Sequence, residues 1–574
     1  MTNVAELIVD ALPELGVRSV WGVVGDALNP VTDAIRREER LEWIGVRHEE
    51  AGAFAACAQA QLTDGLGVCM GTVGPGSIHL LNGLYDAKKS RAPVLAVCGQ
   101  VPLPEVGSDF FQEVDNDALF KDVAAVARTL SSPEQLPRLL EEAVQTALQQ
   151  STVAVLTLPG DVGGMEVEKG ISTHFVSARP PVIPDPDALR KAASHIDAAG
   201  KVVLLAGIGA REAREELLAL ADRLAAPMVL TLKAKEGLER DNEFEVGQTG
   251  LIGNPAARKA LDGADLLLMV GTDFPYSDWY PTGKVVVQID ERGENIGRRT
   301  TVEHGVVGDA KLALKELLEL VASNEDRGHL ESSRKTYTDW RERQLGLADP
   351  GHDERAAGRA RAVLDNPENR IRPEAVAAAI DRHAAADAIF TTDTGMATVW
   401  LSRFVTMRGT RRLLGSFNLG SMANAMPHAL GAQALDRSRQ VVAFCGDGGL
   451  TMLLGDLLTA VSHKLPVKLV VFDNGRLGMV KLEQEQGGLP EFGTVLHNPD
   501  LAEVARAMGL EGIRVTDPHA LDGAVARALA SDGPVLLDVL TNPDEVSLPP
   551  KVQPGEAWGF AVAKLKEVLT SREG

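Results

Sequence analysis

Short apolar runs alternate with amphipathic stretches along most of this chain. Up to about residue 165 the apolar runs are VRSVWGVVG, EWIGVRHE, LGVCMGTVG, PVLAVCGQ and TVAVLTLPGDV, and helical stretches such as LNPVTDAIRR and EAGAFAACAQAQL lie between them. Such alternation predicts a parallel β-sheet with right-handed crossovers and helices on both faces. Residues 1–180 are therefore predicted to form one α/β domain.

The same alternation recurs twice further along the chain. The proline-rich segment ARPPVIPDPDALR predicts a stiff connection, after which KVVLLAG, APMVLTL, DLLLMVG and KVVVQID predict a Rossmann-like domain over residues 185–323. Residues 324–370 are charged and weakly periodic, which predicts a surface linker. From IRPEAVAAAIDRH onwards, DAIFTTDT, RQVVAFCGDG, VKLVVFDN, EGIRVT and PVLLDVLT predict a third domain over residues 371–574.

The predicted fold class is therefore α/β, with three doubly wound parallel-sheet domains. The first and third domains are expected to be similar, because each opens with a helix and a strand that leads into a glycine-containing turn. Their ends, TVAVLTLPGDV and GPVLLDVLTNPDE, are also alike. The length of 574 residues suits several domains, and an aromatic content of only 4% means that Val, Leu, Ile and Ala must build the cores.

Charge and cysteine usage narrow the class of protein. A formal net charge of −22 repels nucleic acid and anionic lipid, so no nucleic acid partner is expected. Cys57, Cys69, Cys98 and Cys445 form no CxxC pair and lie in apolar runs, which predicts reduced core thiols and no zinc site. The chain opens without a basic signal region and has no apolar stretch of about 18 residues, which predicts a cytoplasmic protein.

The strongest chemical signal lies in the third domain, where VVAFCGDGG is followed by VKLVVFDNGR. Asp447 and Asn474 each follow an apolar strand, at the edge where ligands of open α/β sheets bind. One carboxylate and one amide oxygen suit Mg²⁺, while Gly446, Gly448 and Gly449 allow a phosphate to approach the next helix N-terminus. A plain Gly-Asp turn is the alternative for GDG taken alone.

This arrangement resembles the thiamine diphosphate motif, in which GDG is followed by an Asn at the next strand end. GSFNLGSMANAMPHALGAQA lies upstream, and RHEEAGAFAA, GTVGPG and FQE lie in the first domain. Together they resemble, in order and over nearly the whole chain, the thiamine-diphosphate-dependent pyruvate oxidases and quinone-reducing pyruvate dehydrogenases, which are related to acetolactate synthases. The resemblance implies that thiamine diphosphate and Mg²⁺ bind to the first and third domains.

The same resemblance assigns roles to individual residues. Glu49 would hydrogen-bond N1′ of the thiamine pyrimidine, so that the cofactor's own 4′-imino group removes the C2 proton, and His79, Phe111 and Gln112 would line the substrate end. The cofactor and metal positions implied are Thr394, Gly395, Gly420, Ser421, Met422, Gly446, Asp447, Gly448, Gly449, Asn474 and the carbonyl of Arg476. Plainer alternatives exist: Glu49 as an acid favoured in a first helical turn, Met422 and Phe111 as core, Gln112 as a surface amide and His79 as an ordinary helix residue.

The middle domain decides the type of reaction. Gly207 and Gly209 in AGIGAR can approach a diphosphate, and the segments QTGLIG, GTDFPY and IDERGENIG resemble the FAD-binding segments of pyruvate oxidases. The further FAD contacts implied are Thr249, Gly250, Leu251, Ile252, Gly271, Thr272, Phe274 and Asp290. A structural domain without flavin is the alternative.

Acetolactate synthases also carry FAD, and after the metal Asn they typically read LGMV and then a Gln-Trp pair. Here LGMV is followed by Lys481, Leu482 and Glu483, without a tryptophan. The departure favours oxidative decarboxylation of pyruvate to acetate and CO₂ through a thiamine-bound enamine, with electrons passing to FAD and then to a quinone or another acceptor. An acetolactate-type carboligase with a non-redox FAD and a catalytically silent cofactor-binding protein are the alternatives. The acceptor, the 2-ketoacid and the choice between acetate and acetyl phosphate stay open.

The resemblance also implies an assembly. In this superfamily the active site lies between the N-terminal domain of one subunit and the C-terminal domain of another, so a homodimer or a dimer of dimers is expected. Quinone-reducing members end in a lipid-binding amphipathic helix, whereas the segment GFAVAKLKEVLTSREG has only one short apolar face. This difference argues against lipid activation without deciding it, and a peripheral position at the inner membrane face also stays open.

Overall fold

Three sheets of six strands, each entirely parallel, organise the chain. The computed structural model describes residues 2–167, 173–176, 179–355, 366 and 368–545. Alternate residues of the strand Val94–Gln100 belong to different apolar clusters, with Leu95 and Val97 on one face and Val94 and Ala96 on the other. A sheet buried on both faces needs continuous apolar strands, and this explains the runs in the sequence.

The first domain carries the sheet order β2-β1-β3-β4-β6-β5. Its strands are β1 (Ser19–Gly22), β2 (Glu42–Gly45), β3 (Gly67–Gly71), β4 (Val94–Gln100), β5 (Ala124–Thr129) and β6 (Val153–Pro159). Its helices are Val4–Glu14, Asn29–Arg37, Glu49–Thr63, Pro75–His79, Leu81–Lys89, Asn116–Leu119 and Leu136–Gln150.

The middle domain has the order β12-β11-β10-β7-β8-β9, which is the 3-2-1-4-5-6 order of a Rossmann sheet read from its other edge. Its strands are β7 (Val202–Ala206), β8 (Met228–Leu230), β9 (Glu245–Gln248), β10 (Leu266–Val270), β11 (Val285–Asp290) and β12 (His304–Val307). Its helices are Pro186–Asp197, Arg214–Arg223, Lys235–Leu238, Pro255–Gly263 and Ala310–Leu320. The predicted Rossmann-like topology is confirmed.

The third domain repeats the order of the first, as β14-β13-β15-β16-β18-β17, so the predicted similarity holds at the level of topology. Its strands are β13 (Ile389–Thr392), β14 (Arg412–Gly415), β15 (Val441–Gly446), β16 (Lys468–Asp473), β17 (Glu511–Val515) and β18 (Val535–Leu540). Its helices are Pro373–His383, Met396–Phe404, Ala425–Leu435, Asp447–Met452, Leu457–Ser462, Gly478–Gln486, Leu501–Ala507 and Leu521–Ala530.

Two local expectations need correction. The segment 324–370 contains a helix, Gly328–Leu347, with Leu330 and Trp340 buried, although its charge pattern predicts only a linker. The single helix expected after Asp447 is broken into Asp447–Met452, a 3₁₀ turn at Leu454–Asp456 and Leu457–Ser462.

Three further expectations concern the C-terminal segment, the cysteines and membrane-spanning helices. The amphipathic segment at the end of the sequence lies outside the described residues. All four cysteines are buried and free, as predicted. Among the helices that the structure describes, none combines the length and apolar composition needed to cross a bilayer.

A buried carboxylate ties the three domains together. Glu236 of the middle domain contacts Arg211 at 2.9 Å, Lys233 at 3.0 Å and Arg412 of the third domain at 2.6 Å. Arg211 also reaches Asp64 of the first domain at 3.2 Å. Burial alone would raise the pKa of Glu236, but the neighbouring cations Lys233 and Arg412 outweigh it and lower that pKa to about 2.

We predict that Glu236→Gln destabilises the chain by about 3 kcal/mol, because it leaves three cations without their shared counter-charge. Since the pKa of Glu236 falls from 4.5 to about 2 on folding, its contribution is present above about pH 4.5 and is lost as the pH falls toward 2. The measurement is the urea midpoint of the first unfolding transition. The control is Glu212→Gln, which removes an 82% exposed partner of Arg211 and should cost less than about 0.5 kcal/mol; equal losses would contradict the prediction.

Candidate active site

A carboxylate and two imidazoles meet in the first domain. Glu49 is the first residue of helix Glu49–Thr63 and is 7% exposed. Its Oε2 lies 3.0 Å from Nδ1 of His79, which ends the helix Pro75–His79. The ring of His79 stacks on that of His48 with centroids 4.4 Å apart. A carboxylate at a helix N-terminus is favoured by the dipole, and the imidazole fixes its direction.

The loop that carries Phe111 and Gln112 lies beside this carboxylate. The carbonyl of Gln112 packs on Gly74, where a Cβ would lie only 2.8 Å from it. Gly76, two residues later, faces Oε1 of Glu49, since a Cβ there would lie 3.3 Å from that oxygen. Phe111 is 78% exposed, which excludes a core role in this chain alone.

In the third domain, four loops at the carboxyl ends of β13, β14, β15 and β16 converge. Gly420 faces the Thr394 side chain, as a Cβ on Gly420 would lie 4.0 Å from Cγ2 of Thr394. Met422 reaches Gly448, where a Cβ would lie 3.3 Å from the methionine methyl. Ser421 accepts a hydrogen bond of 2.9 Å from Asn82 of the first domain. The structure therefore brings the predicted residues of this domain to one edge of its sheet.

Asp447 is the centre of the predicted metal site. Its Oδ2 accepts hydrogen bonds from the Gly475 amide at 2.9 Å and from Asn498 Nδ2 at 2.7 Å. Burial, and then the nearby Asp473 carboxylate, raise the pKa of Asp447. No Lys or Arg among the described residues is ion-paired with Asp447. A buried carboxylate without a cation suits a metal ligand, so the donor set fits Mg²⁺.

The neighbouring ligand candidates follow in a tight turn. Oδ1 of Asn474 accepts the Arg476 amide at 3.0 Å. The Arg476 side chain is paired with Glu491 at 3.2 Å. Because the guanidinium is engaged there, the backbone carbonyl of Arg476 remains the predicted metal ligand. An antiparallel bridge between Arg476 and Val495 holds the loop in place.

Sequence reasoning missed two residues that support this edge. Asn498 donates to Asp447 and also to Oδ1 of Asp473 at 2.9 Å, so one amide separates two carboxylates. Asp393 accepts the amides of Ala425 at 2.9 Å and Gly446 at 3.1 Å, and burial raises its pKa to about 7. The position of Asp393 at the end of β13 was a usable signal, whereas nothing in LHNPD indicated Asn498.

Four predicted residues of the middle domain, Gly207, Gly209, Gly271 and Thr272, lie at the switch point between β7 and β10, where ligands of doubly wound sheets bind. A Cβ on Gly207 would lie 2.1 Å from the Gly271 carbonyl and 2.6 Å from Cβ of Thr272. A Cβ on Gly209 would also meet Gly271, at 3.0 Å. These contacts require glycine and leave the backbone open to a ligand.

Polar groups without partners border the same edge. Oγ1 of Thr249 and Nε2 of Gln248 are buried and find no hydrogen-bond partner among the described residues. Asp290, at the end of β11, accepts Asn295 Nδ2 at 2.9 Å, and burial raises its pKa. Such orphaned donors suit a polar ligand.

The loop that follows β9 completes this part of the site. Phe274 packs on Gly250, where a Cβ would lie 2.8 Å from the ring. Leu251 is 37% exposed, and Ile252 packs against an apolar cluster of the third domain.

We predict that Asn498→Ala weakens binding of Mg²⁺ with thiamine diphosphate by about 10- to 100-fold, because Asp447 loses a donor that orients it. Titration calorimetry on the purified chain measures the dissociation constant. His497→Ala changes an exposed neighbour and should leave the affinity unchanged. Wild-type affinity in Asn498→Ala would show that the amide does not position the ligand.

Comparison with known proteins identifies the family of this chain. Models of the thiamine pyrophosphate enzymes match the chain at residues 2–119 for the N-terminal TPP binding domain, 189–317 for the central domain and 393–539 for the C-terminal TPP binding domain. YdaP of Bacillus subtilis (strain 168) is provisionally described as a thiamine pyrophosphate-containing protein. It is 38% identical to this chain over 99% of this chain and 96% of its own length.

Two enzymes of known type are also similar over most of their length. The pyruvate oxidase of Lactiplantibacillus plantarum is 30% identical over 94% of this chain and 88% of its own. The acetolactate synthase large subunit of Parasynechococcus marenigrum is 31% identical over 96% of this chain and 90% of its own length. The chain therefore belongs to the thiamine-pyrophosphate-dependent enzyme family, and it is related to pyruvate oxidase and acetolactate synthase.

Proposed function

We propose that this enzyme oxidatively decarboxylates pyruvate to acetate and CO₂, with thiamine diphosphate and Mg²⁺ at the outer domains and FAD in the middle domain. A quinone or another acceptor would then reoxidise the flavin. The observation that carries the proposal is the contact between the middle and third domains. Ile252 packs on the same apolar cluster as Met479, and that cluster contains Met396, which follows Gly395. A flavin held by the Thr249–Ile252 loop would thus lie beside the thiamine loops.

The residues of the middle domain fit a flavin dinucleotide in three respects. Gly207 and Gly271 leave bare backbone at the switch point, where a diphosphate binds in this topology. Thr249 and Gln248 present buried polar atoms without protein partners. The Asp290 carboxylate stands at the end of β11, and a carboxylate at a strand end of such a sheet suits a ribose hydroxyl or an adenine edge.

The predicted thiamine site has two half-sites with separate chemical tasks, one around Glu49 in the first domain and one around Asp447 in the third. Glu49 would accept or donate the hydrogen bond at the pyrimidine ring, while His79 holds the Glu49 carboxylate in place. Asp447, Asn474 and the Arg476 carbonyl would hold Mg²⁺, and the amides that follow Gly446 would meet the diphosphate. Phe111 and Gln112 would cover the substrate and exclude water. When bound, thiamine diphosphate supplies the electron sink for decarboxylation and FAD supplies a two-electron acceptor.

An acetolactate-type carboligase is the second candidate, since an acetolactate synthase is as similar as the pyruvate oxidase. The side chains of helix Gly478–Gln486 support the oxidative reaction over the carboligase reaction. Lys481 is buried and paired with Asp544, and Leu482 is buried as well. These two side chains serve internal packing and offer no aromatic wall for a second ketoacid.

We further propose that the active site forms between two copies of the chain. Large apolar side chains beside both half-sites are exposed, which is unusual for a monomer. In the first domain they are Ile78, Phe110 and Phe111, and in the third they are Met452, Val480, Leu489, Phe492 and Val495. Among the described residues, no hydrogen bond or ion pair joins Glu49 to Asp447 or Asn474. A partner copy would supply Glu49 and cover these apolar groups.

The first test is anaerobic flavin reduction. We expect pyruvate to bleach the visible flavin absorbance of the fully loaded enzyme, and Glu49→Gln to slow the bleaching by at least about 100-fold because proton removal loses its partner. The control Glu50→Gln changes the neighbouring acid, which binds Asn82 at 2.7 Å, and should stay within a few-fold of wild type. CO₂ release from a flavin that stays oxidised would favour the carboligase, and failure to bind flavin would refute the role of the middle domain.

The second test is complementation between inactive chains. Glu49→Gln and Asp447→Asn should each be inactive, yet their co-expression should restore about a quarter of wild-type activity, because half of the dimers are mixed and each mixed dimer has one intact site. Two differently tagged Glu49→Gln chains serve as the control and should stay inactive. No recovery in the mixed sample would place the whole site within one chain.

A further inference from the structure

A second cluster of potential ligands lies far from solvent, between the first and third domains. Cys57 lies on helix Glu49–Thr63, Asp86 on helix Leu81–Lys89 and His428 on helix Ala425–Leu435. All three side chains are completely buried. One ligand atom from each lies within 4.8 Å of the other two.

We propose that these residues bind a zinc ion, or a similar borderline-soft divalent cation, that fastens the first domain to the third. Sγ of Cys57 lies 3.7 Å from Oδ2 of Asp86, and that oxygen lies 3.1 Å from Nε2 of His428. A tetrahedral zinc with bonds of about 2.0–2.3 Å holds its ligand atoms roughly 3.3–3.6 Å apart. These two distances are already close to that spacing.

The hydrogen bonding of the cluster is incomplete without a cation. Oδ1 of Asp86 and both ring nitrogens of His428 are buried and have no hydrogen-bond partner in the part of the chain that the structure describes. The 3.1 Å approach of Nε2 to the carboxylate therefore lacks the direction of a hydrogen bond. Buried polar groups of this kind need a partner, and a cation placed between the three atoms would provide it.

The charges also balance. A thiolate and a carboxylate with a neutral imidazole cancel a divalent cation, so the buried site would carry no net charge. Cation binding to the Cys57 sulfur would release the thiol proton to solvent. A thiolate among the ligands favours zinc over Mg²⁺.

Neighbouring side chains would support such a site. Gln61, one turn beyond Cys57, donates from Nε2 to Sγ at 3.3 Å, which favours a thiolate. Phe54, one turn before Cys57, packs edge-on to the His428 ring with centroids 5.5 Å apart and fixes its orientation. The ligands come from three helices in two domains, which is why the cysteine spacing gave no sign of a metal.

The test is the zinc content of the full-length chain, purified without chelators and saturated with Mg²⁺ and thiamine diphosphate so that the Asp447 site is filled. We expect roughly one zinc per chain, less than about a tenth of that in Cys57→Ala, and an unchanged content in Cys69→Ala. Cys69 is a matched control because it is equally buried and lies outside the cluster.

Cobalt supplies an independent readout on the native chain. Co²⁺ in place of zinc should give a near-ultraviolet band of thiolate-to-metal charge transfer, which Cys69→Ala keeps and Cys57→Ala loses. If Cys57→Ala does not fold, the proposal is tested by the presence of the band in the native chain and its loss in His428→Gln. Absence of both zinc and the band from the native chain, or zinc that persists in folded Cys57→Ala, would overturn the proposal.

Discussion

The packing of helix Glu49–Thr63 against helix Ala425–Leu435 is the interaction on which the rest of the architecture depends. Gly431 meets the backbone of Ala55 so closely that a Cβ would lie 2.3 Å from its carbonyl oxygen. Gln59 donates to the Gly431 carbonyl at 3.2 Å across the same contact. Both helices are buried over most of their length, at residues 51–60 and 425–433, and small apolar residues therefore dominate their faces. The cores of the first and third domains therefore merge into one cluster, and the position of Glu49 follows from it.

The candidate site in the third domain contains two buried carboxylates, although protein interiors usually exclude unpaired charged groups. Asp393 and Asp447 are buried carboxylates whose pKa values are raised mainly by burial, and backbone amides rather than cations are their partners. Such groups destabilise the chain until a cation or a hydrogen-bonding ligand arrives. Glu236 shows the opposite solution, because three basic side chains surround it and lower its pKa. The contrast separates a ligand site from a structural ion network.

Parallel sheets that are buried on both faces leave only the strand ends for polar chemistry. The loops predicted to bind thiamine diphosphate follow β13, β14, β15 and β16, and the predicted flavin loops follow β7, β9, β10 and β11. The contact of Ile252 with the third domain brings the two sets of strand ends together. In the proposed reaction, electron transfer from thiamine diphosphate to FAD would follow from how these domains pack.

Much of this could be predicted from the sequence alone. Central strands such as Val94–Gln100 and Lys468–Asp473 are buried on both faces and read as continuous apolar runs. The strands that sequence reasoning missed, β5, β9, β12 and β14, all lie at sheet edges, where partial exposure or short length weakens the pattern. The motif residues Asp447 and Asn474 were found because local turns place them beside a strand end.

Only the tertiary structure decided the contacts between distant segments. Asn498 bridges two carboxylates, His48 stacks on His79, and Cys57 meets His428 across a domain boundary. None of these follows from local periodicity, because each depends on how whole domains dock. The sequence by itself determined the central strands, the turns that follow them and the chemistry at their ends. Long-range packing decided which of those ends face one another, since that choice minimises exposed apolar surface over the whole chain.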